Sequence, residues 1–191
     1  MYSSYGKAEE KVLRLGNMWV GLLLAWLLLV GVAFAQEPDT VKVPHMDPDM
    51  SAAFARAAAG LDAFLEKWRN PPPGAERFAV KIGLVDSSSP PGYEVVRPDS
   101  DTSDIVEWFW VNDLRIDGAD FSGRLANDPE DLHNVSLGQT VHFKREDIGD
   151  WMYRQDGKIV GNATACAALA HASPQERQQV KEQYGIDCDF L

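Results

Sequence analysis

Two carboxylates, Glu107 and Asp150, stand out as groups whose surroundings in the sequence could suit them to proton transfer. Glu107 shares one side of an apolar strand with Ile105, Phe109 and Val111, where desolvation would adapt an acid to general acid/base work. Asp150 directly precedes Trp151 at the start of another strand. At both positions the competing reading is structural, a buried acid held by hydrogen bonds. Reactive motifs are missing elsewhere: the chain has no Gly-x-Ser-x-Gly, no phosphate loop and no His-Glu-x-x-His. Its histidines, His45, His133, His142 and His171, have no second histidine or cysteine at ligand spacing, so neither metal nor cofactor is expected.

A second group of polar residues falls at the ends of strands: Asn127, Gln139, Asp150, and Asn162 with Thr164 after Gly161. Short polar side chains at such places satisfy stray backbone amides, which is the structural reading. The functional reading is a recognition site in which amides at the helix start after Gly161 hold an anion and Trp151 flanks it. The tryptophans outside the leader, Trp68, Trp108, Trp110 and Trp151, are read as core.

The elements that must position these residues follow from periodicity. From Ser51, the residues Phe54, Ala58, Leu61, Leu65 and Trp68 recur at helical spacing, and Asn70-Pro71-Pro72-Pro73-Gly74 ends that helix. Alternation of Phe78, Val80, Ile82 and Leu84 predicts a half-buried strand with Lys81 and Gly83 on the other face. Residues 87–104 are rich in turn formers and read as a loop, with a short strand at Val95-Val96. An aromatic strand covers Ile105–Val111, and Asp117-Gly118 and Asp156-Gly157 each mark a hairpin. Thr140–Phe143 reads as a strand that leaves His142 on the solvent side. Asn162 or Thr164 can cap a helix through Ala165–Ala170, and Ser173-Pro174-Gln175-Glu176 is a capping box whose helix Gly185 closes. The expected class is α+β: an N-terminal amphipathic helix, an antiparallel sheet of about five strands and two C-terminal helices.

Residues 1–35 read as a signal peptide. Lys7, Lys11 and Arg14 precede an apolar run from Met18 to Phe34, and Ala33-Phe34-Ala35 offers a cleavage site that would leave Gln36 first. That run is also close to bilayer-spanning length, so an uncleaved anchor is the alternative. Both readings place the remainder outside the cytoplasm, periplasmic or secreted. Residues 36–50 read as a linker, and 51–191 as the domain. Of the 18 basic and 29 acidic side chains, three and two lie in residues 1–35, which leaves 15 and 27 and a net charge of −12. Nucleic acid is therefore excluded as a partner, since phosphate binding needs a positive face. The two cysteines, Cys166 and Cys188, lie in the exported part, where one disulfide is the simple expectation.

Five segments occur in order: Phe78-Ala79-Val80-Lys81, Glu107-Trp108-Phe109-Trp110-Val111, Gly123-Arg124-Leu125-Ala126-Asn127-Asp128-Pro129, Gly138-Gln139-Thr140-Val141, and Ile148-Gly149-Asp150-Trp151-Met152-Tyr153. Gly161-Asn162-Ala163-Thr164 closes the set. Over roughly residues 51–171 this pattern resembles the YegJ-like bacterial family, a domain of unknown function. The resemblance implies an α+β fold and an exported setting in some members; it implies no activity.

The function expected is a non-catalytic binding or interaction module for a protein, peptide or small anionic ligand, using the Asn127/Gln139/Asp150/Trp151/Asn162 end of the sheet. The alternatives are a hydrolase-like enzyme with Glu107 or Asp150 as general base, and an immunity or stress factor acting by occlusion.

Overall fold

The structure is a computed structural model that describes residues 47–102, 105–170, 172–186 and 188. The signal segment, its cleavage site and residues 36–46 of the linker lie outside the described residues.

Helix α1 (Pro48–Arg69) starts earlier than its apolar period suggests. Asp47 is the N-cap, its carboxylate accepting the amides of Asp49 at 2.9 Å and Met50 at 3.2 Å, and Pro48 takes the first helical position, where a missing amide hydrogen costs nothing. Asp47-Pro48-Asp49, assigned to the linker, is thus a helix start. The buried face is Ala53, Phe54, Ala57, Leu61, Phe64 and Leu65. Ala58, placed on that stripe by spacing, is exposed, because the helix turns Ala57 and Phe64 inward instead.

Seven antiparallel strands follow: β1 (Ala75–Asp86), β2 (Tyr93–Val96), β3 (Glu107–Asp117), β4 (Asp120–Leu125), β5 (Thr140–Lys144), β6 (Ile148–Gln155) and β7 (Lys158–Gly161). Helices α2 (Ala163–Leu169) and α3 (Pro174–Tyr184) close the chain. The α+β class holds, with seven strands rather than five. In the sheet the order is β5-β4-β3-β1-β6-β7, and β2 pairs the far end of β1 beyond β6.

β1 pairs with three strands, and Ile82–Val85 is buried without interruption. The expected solvated face of β1 does not exist there: a Cβ on Gly83 would meet Val106 at 2.9 Å and the Trp108 ring at 3.3 Å. Trp108 in turn packs on Phe54 of α1, ring centroids 4.9 Å apart. Alternation read the pleat correctly but could not show that the Val106 and Trp108 side chains cover its second side at Gly83.

The opposite face carries Val80, Ile82, Leu84, Phe109 and Val111, which join Leu61, Phe64 and Leu65 of α1 in the main core. Tyr93 of β2 also belongs to it, and its hydroxyl oxygen accepts the amide of His142 at 3.1 Å. The Asp156-Gly157 hairpin has both residues at positive φ, 52° and 81°, as a tight two-residue turn requires. The last helix has the expected ends: Ser173 and Glu176 form the capping box and Gly185 is the left-handed C-cap. Cys166 and Cys188 are disulfide-bonded, Cα atoms 5.5 Å apart. Closing a sequence separation of 22 contributes on the order of 3 kcal/mol in the chain-entropy account. Among the described residues no helix is long and apolar enough to cross a membrane.

Candidate functional site

The polar centre of the domain forms where the first residues of β6 meet the β7–α2 junction. Gly161 (φ 88°) and Asn162 (φ 60°) turn the chain sharply off the sheet, and the Asn162 amide donates to the Trp151 carbonyl at 2.9 Å. That turn delivers the N-terminus of α2 to Asp150, which is 1% exposed. One oxygen of Asp150 accepts the amides of Trp151 at 2.8 Å and Ala163 at 3.3 Å. The other accepts the amide and the hydroxyl of Thr164, at 2.7 Å and 2.6 Å.

The sequence offers Asn162 or Thr164 as the cap of this helix. Asn162 occupies the N-cap position in a left-handed conformation without a side-chain bond to the helix, and Asp150 caps it from another strand. The anion held by these helix amides is therefore the protein's own carboxylate. Asn162 itself is buried, and its Oδ1 has no donor among the described residues.

Lys81 completes the cluster. It sits directly opposite Asp150 in the β1–β6 pair and opposite Trp110 in the β1–β3 pair. Its ammonium donates to Thr164 Oγ1 at 2.7 Å and lies 4.5 Å from the centroid of the Trp110 ring. Burial lowers the Lys81 pKa below the ordinary lysine value, and the Asp150 carboxylate acts in the opposite sense. Reading β1 by alternation alone assigned Lys81 to solvent. The missed signal is its neighbourhood: a lysine in a strand flanked by runs of buried apolar residues needs a partner.

Of the six residues singled out for recognition, the structure brings together Asp150, Trp151, Asn162 and Thr164. Asn127 and Gln139 stand apart, on the connection between β4 and β5. The Asn127 side chain accepts the amide of Trp110 at 2.9 Å, which links it to the cluster only through the strand beneath Lys81. Gln139 accepts the amide of Ser136 at 3.0 Å, closing its own loop.

Glu107 is likewise engaged with backbone. Its carboxylate accepts the amides of Glu130 at 2.7 Å and of Asp131 and Leu132 at 3.0 Å each, so it holds the segment that follows β4. Asp86 supports the same segment through the amides of His133 and Asn134. By register Glu107 lies opposite Leu84, and Asp150 opposite Lys81, so the two acids belong to opposite faces of the sheet. They do not form an acid/base pair.

Beside the cluster is a shallow recess of about 210 Å³, lined by Arg56, Ala57, Asp150, Trp151, Gly161 and Ala163. Trp151 is fixed there by a hydrogen bond from its indole nitrogen to the Ala57 carbonyl at 2.8 Å and by stacking on Phe64, centroids 5.3 Å apart. The guanidinium of Arg56 has no acidic partner among the described residues. Nothing in the sequence marks Arg56, because it lies on the polar side of an ordinary amphipathic helix. Among the described residues no group of three or more His, Cys, Asp or Glu is placed to hold a metal ion.

An antiparallel sheet whose Lys81–Thr164–Asp150 cluster holds the N-terminus of α2 defines this chain as an α+β domain. Residues 47–188 match the family described as an uncharacterized protein conserved in bacteria, DUF2314, and the chain belongs to that family. It is 29% identical to the uncharacterized protein YegJ of Escherichia coli K12 over 161 residues, which is 84% of this chain and 94% of that protein. It is also 34% identical over 89 residues to a putative ankyrin repeat protein of Neisseria meningitidis serogroup B, covering 47% of this chain and 35% of that one. No solved structure matches the chain.

Proposed function

We propose that this protein is an exported, non-catalytic binding module, and that the recess beside Trp151 recognises an anionic group on a peptide, protein or small ligand. The observation that carries this reading is the guanidinium of Arg56, which has no acidic partner among the described residues, in a recess it lines with Ala57, Asp150, Trp151, Gly161 and Ala163, the Asp150 oxygens being turned to the α2 amides. In a chain of net charge −11, a cation without an acidic partner among the described residues, beside the Trp151 ring and two alanines, suits a ligand that joins a carboxylate to a small apolar body.

The absence of catalysis is supported by how the two candidate acids are used. Glu107 accepts three main-chain amides, and Asp150 accepts three amides and a hydroxyl. A general base needs a lone pair directed at substrate, and these oxygens are directed at the protein's own backbone. Export is supported by the leader and by the cystine, which forms in oxidising compartments.

Amide NMR of the purified protein tests the binding reading. A peptide ending in a free carboxylate should shift the Trp151 indole and the Ala57 and Ala163 amides, and the same peptide with an amidated end should not. Arg56→Ala should abolish the response. Equal shifts with both peptides, or none with either, would reject the site. Cell fractionation with N-terminal sequencing tests export, with Gln36 as the expected first residue.

A further inference from the structure

We propose that the Cys166–Cys188 cystine is a redox-operated latch whose reduction releases α3 from the edge of β7 while the sheet stays folded. The inference does not depend on the binding reading. It starts from the distribution of burial: after Ala167 no described residue is buried, and α3 contributes none of its residues to either apolar core. A helix docked by hydrophobic packing would bury a stripe. Here Val180, Lys181 and Tyr184 are only half-buried, and covalent and polar ties are found beyond the C-terminus of the helix.

Two such ties converge on the same edge. Gly185, the residue that ends α3, accepts the amide of Ile159 in the edge strand β7 at 3.3 Å. Three residues later Cys188 joins Cys166, which is fully buried on α2 and lies between Ala163 and Ala167, the residues that pack on Ala53 of α1. The cystine therefore fastens a segment with no fully buried residue to a helix that is part of the folded body. α3 keeps its helical form through local bonds, the Ser173–Glu176 capping box and the Gln178–Glu182 pair. At 11 residues it is below the length of about 12–15 at which an isolated helix holds in water. Freed from the edge, it should fray.

The chemistry balances with an external dithiol of the thioredoxin class as reductant. Its thiolate attacks Sγ of Cys188, which is half-buried, whereas Cys166 is wholly buried; the S–S bond breaks and Cys166 leaves as a thiolate that takes up a proton. The second thiol of the reductant then displaces Cys188, which also ends as a thiol, and the reductant departs as a disulfide. Two electrons and two protons pass to the protein. The Ile159 amide loses its Gly185 acceptor, and the outer edge of β7 becomes accessible.

Hydrogen exchange on the purified full chain, oxidised and fully reduced, tests the latch, with thiol alkylation confirming the state of both cysteines. On reduction, exchange across α3 and at the Ile159 amide should rise on the order of tenfold or more, while amides in β1, β3 and β6 keep their protection, the pattern of local opening. Cys188→Ser, which leaves the buried Cys166 in place, should reproduce the reduced pattern without reductant. Unchanged protection of α3 after complete reduction would overturn the proposal. So would loss of protection spreading through β1 and β3, since the cystine would then hold the body and not only the segment.

Discussion

Lys81 and Asp150 face each other across the β1–β6 pair with the Thr164 hydroxyl between them, 2.7 Å from the ammonium and 2.6 Å from the carboxylate. One side chain of the sheet, Asp150, thus compensates the charge of the half-buried Lys81 and also caps α2. Removing Asp150 leaves the Lys81 ammonium without a compensating charge and the N-terminus of α2 without its cap, so the two strands and the helix should lose stability together.

Asp150→Ala should destabilise the domain by about 3–5 kcal/mol, because three amides and the Thr164 hydroxyl lose their acceptor and Lys81 its compensating charge. Lys81→Met alone should cost less, because Asp150 keeps its amide and hydroxyl donors. In the double variant the Asp150→Ala cost should shrink by roughly 1–3 kcal/mol, the coupling expected of groups in one hydrogen-bond network, here joined through the Thr164 hydroxyl. Urea unfolding of the four proteins measures this, and strict additivity would contradict the pairing.

Glu107→Gln should act locally. The amide side chain retains one acceptor oxygen for the three amides of residues 130–132, at a cost of about 1–3 kcal/mol. Hydrogen exchange in residues 130–134 should accelerate, and Asp86→Asn should accelerate the neighbouring amides of His133 and Asn134. An effect confined to any reaction rate, with exchange unchanged, would contradict the structural role.

Stability should depend on pH with opposite signs at the two ends of the scale. Burial lowers the Lys81 pKa, so above that lowered value and below 10.5 the unfolded chain binds more protons, and stability should rise with pH through the window. Asp147 behaves inversely. Burial raises its pKa above 3.8, outweighing the Lys144 amide that its carboxylate accepts, so the folded state binds more protons there and stability should fall as pH rises through that acidic window. Lys81→Met should flatten the alkaline slope and Asp147→Asn the acidic one, read as denaturation midpoints against pH.

Gly161→Ala should be among the costlier single substitutions. The residue has φ 88°, and a Cβ would collide with the carbonyl and ring of Trp151. The expected loss is about 2–4 kcal/mol, from backbone strain plus displacement of a packed ring. Gly157→Ala, at φ 81° with open space around it, should cost only the left-handed backbone penalty of about 1 kcal/mol. Thermal unfolding of both variants separates collision from strain.

Local rules were enough for much of this protein. Apolar periods, turn dipeptides and capping residues place α1, β1, both hairpins and the ends of α3 in the sequence, because each is decided by neighbours within a few positions. The same rules missed the start of α1 at Asp47-Pro48, where a cap was read as part of the linker. What only the tertiary structure decided is which polar side chains meet. Asp150, Trp151, Asn162 and Thr164 converge, Asn127 and Gln139 do not, and Lys81 enters from a strand more than 65 residues away in sequence from each of the four. Alternation fixes the face on which a side chain lies, whereas its partner depends on which strand pairs alongside and which helix folds over, and both are long-range outcomes of packing that no short window of residues contains.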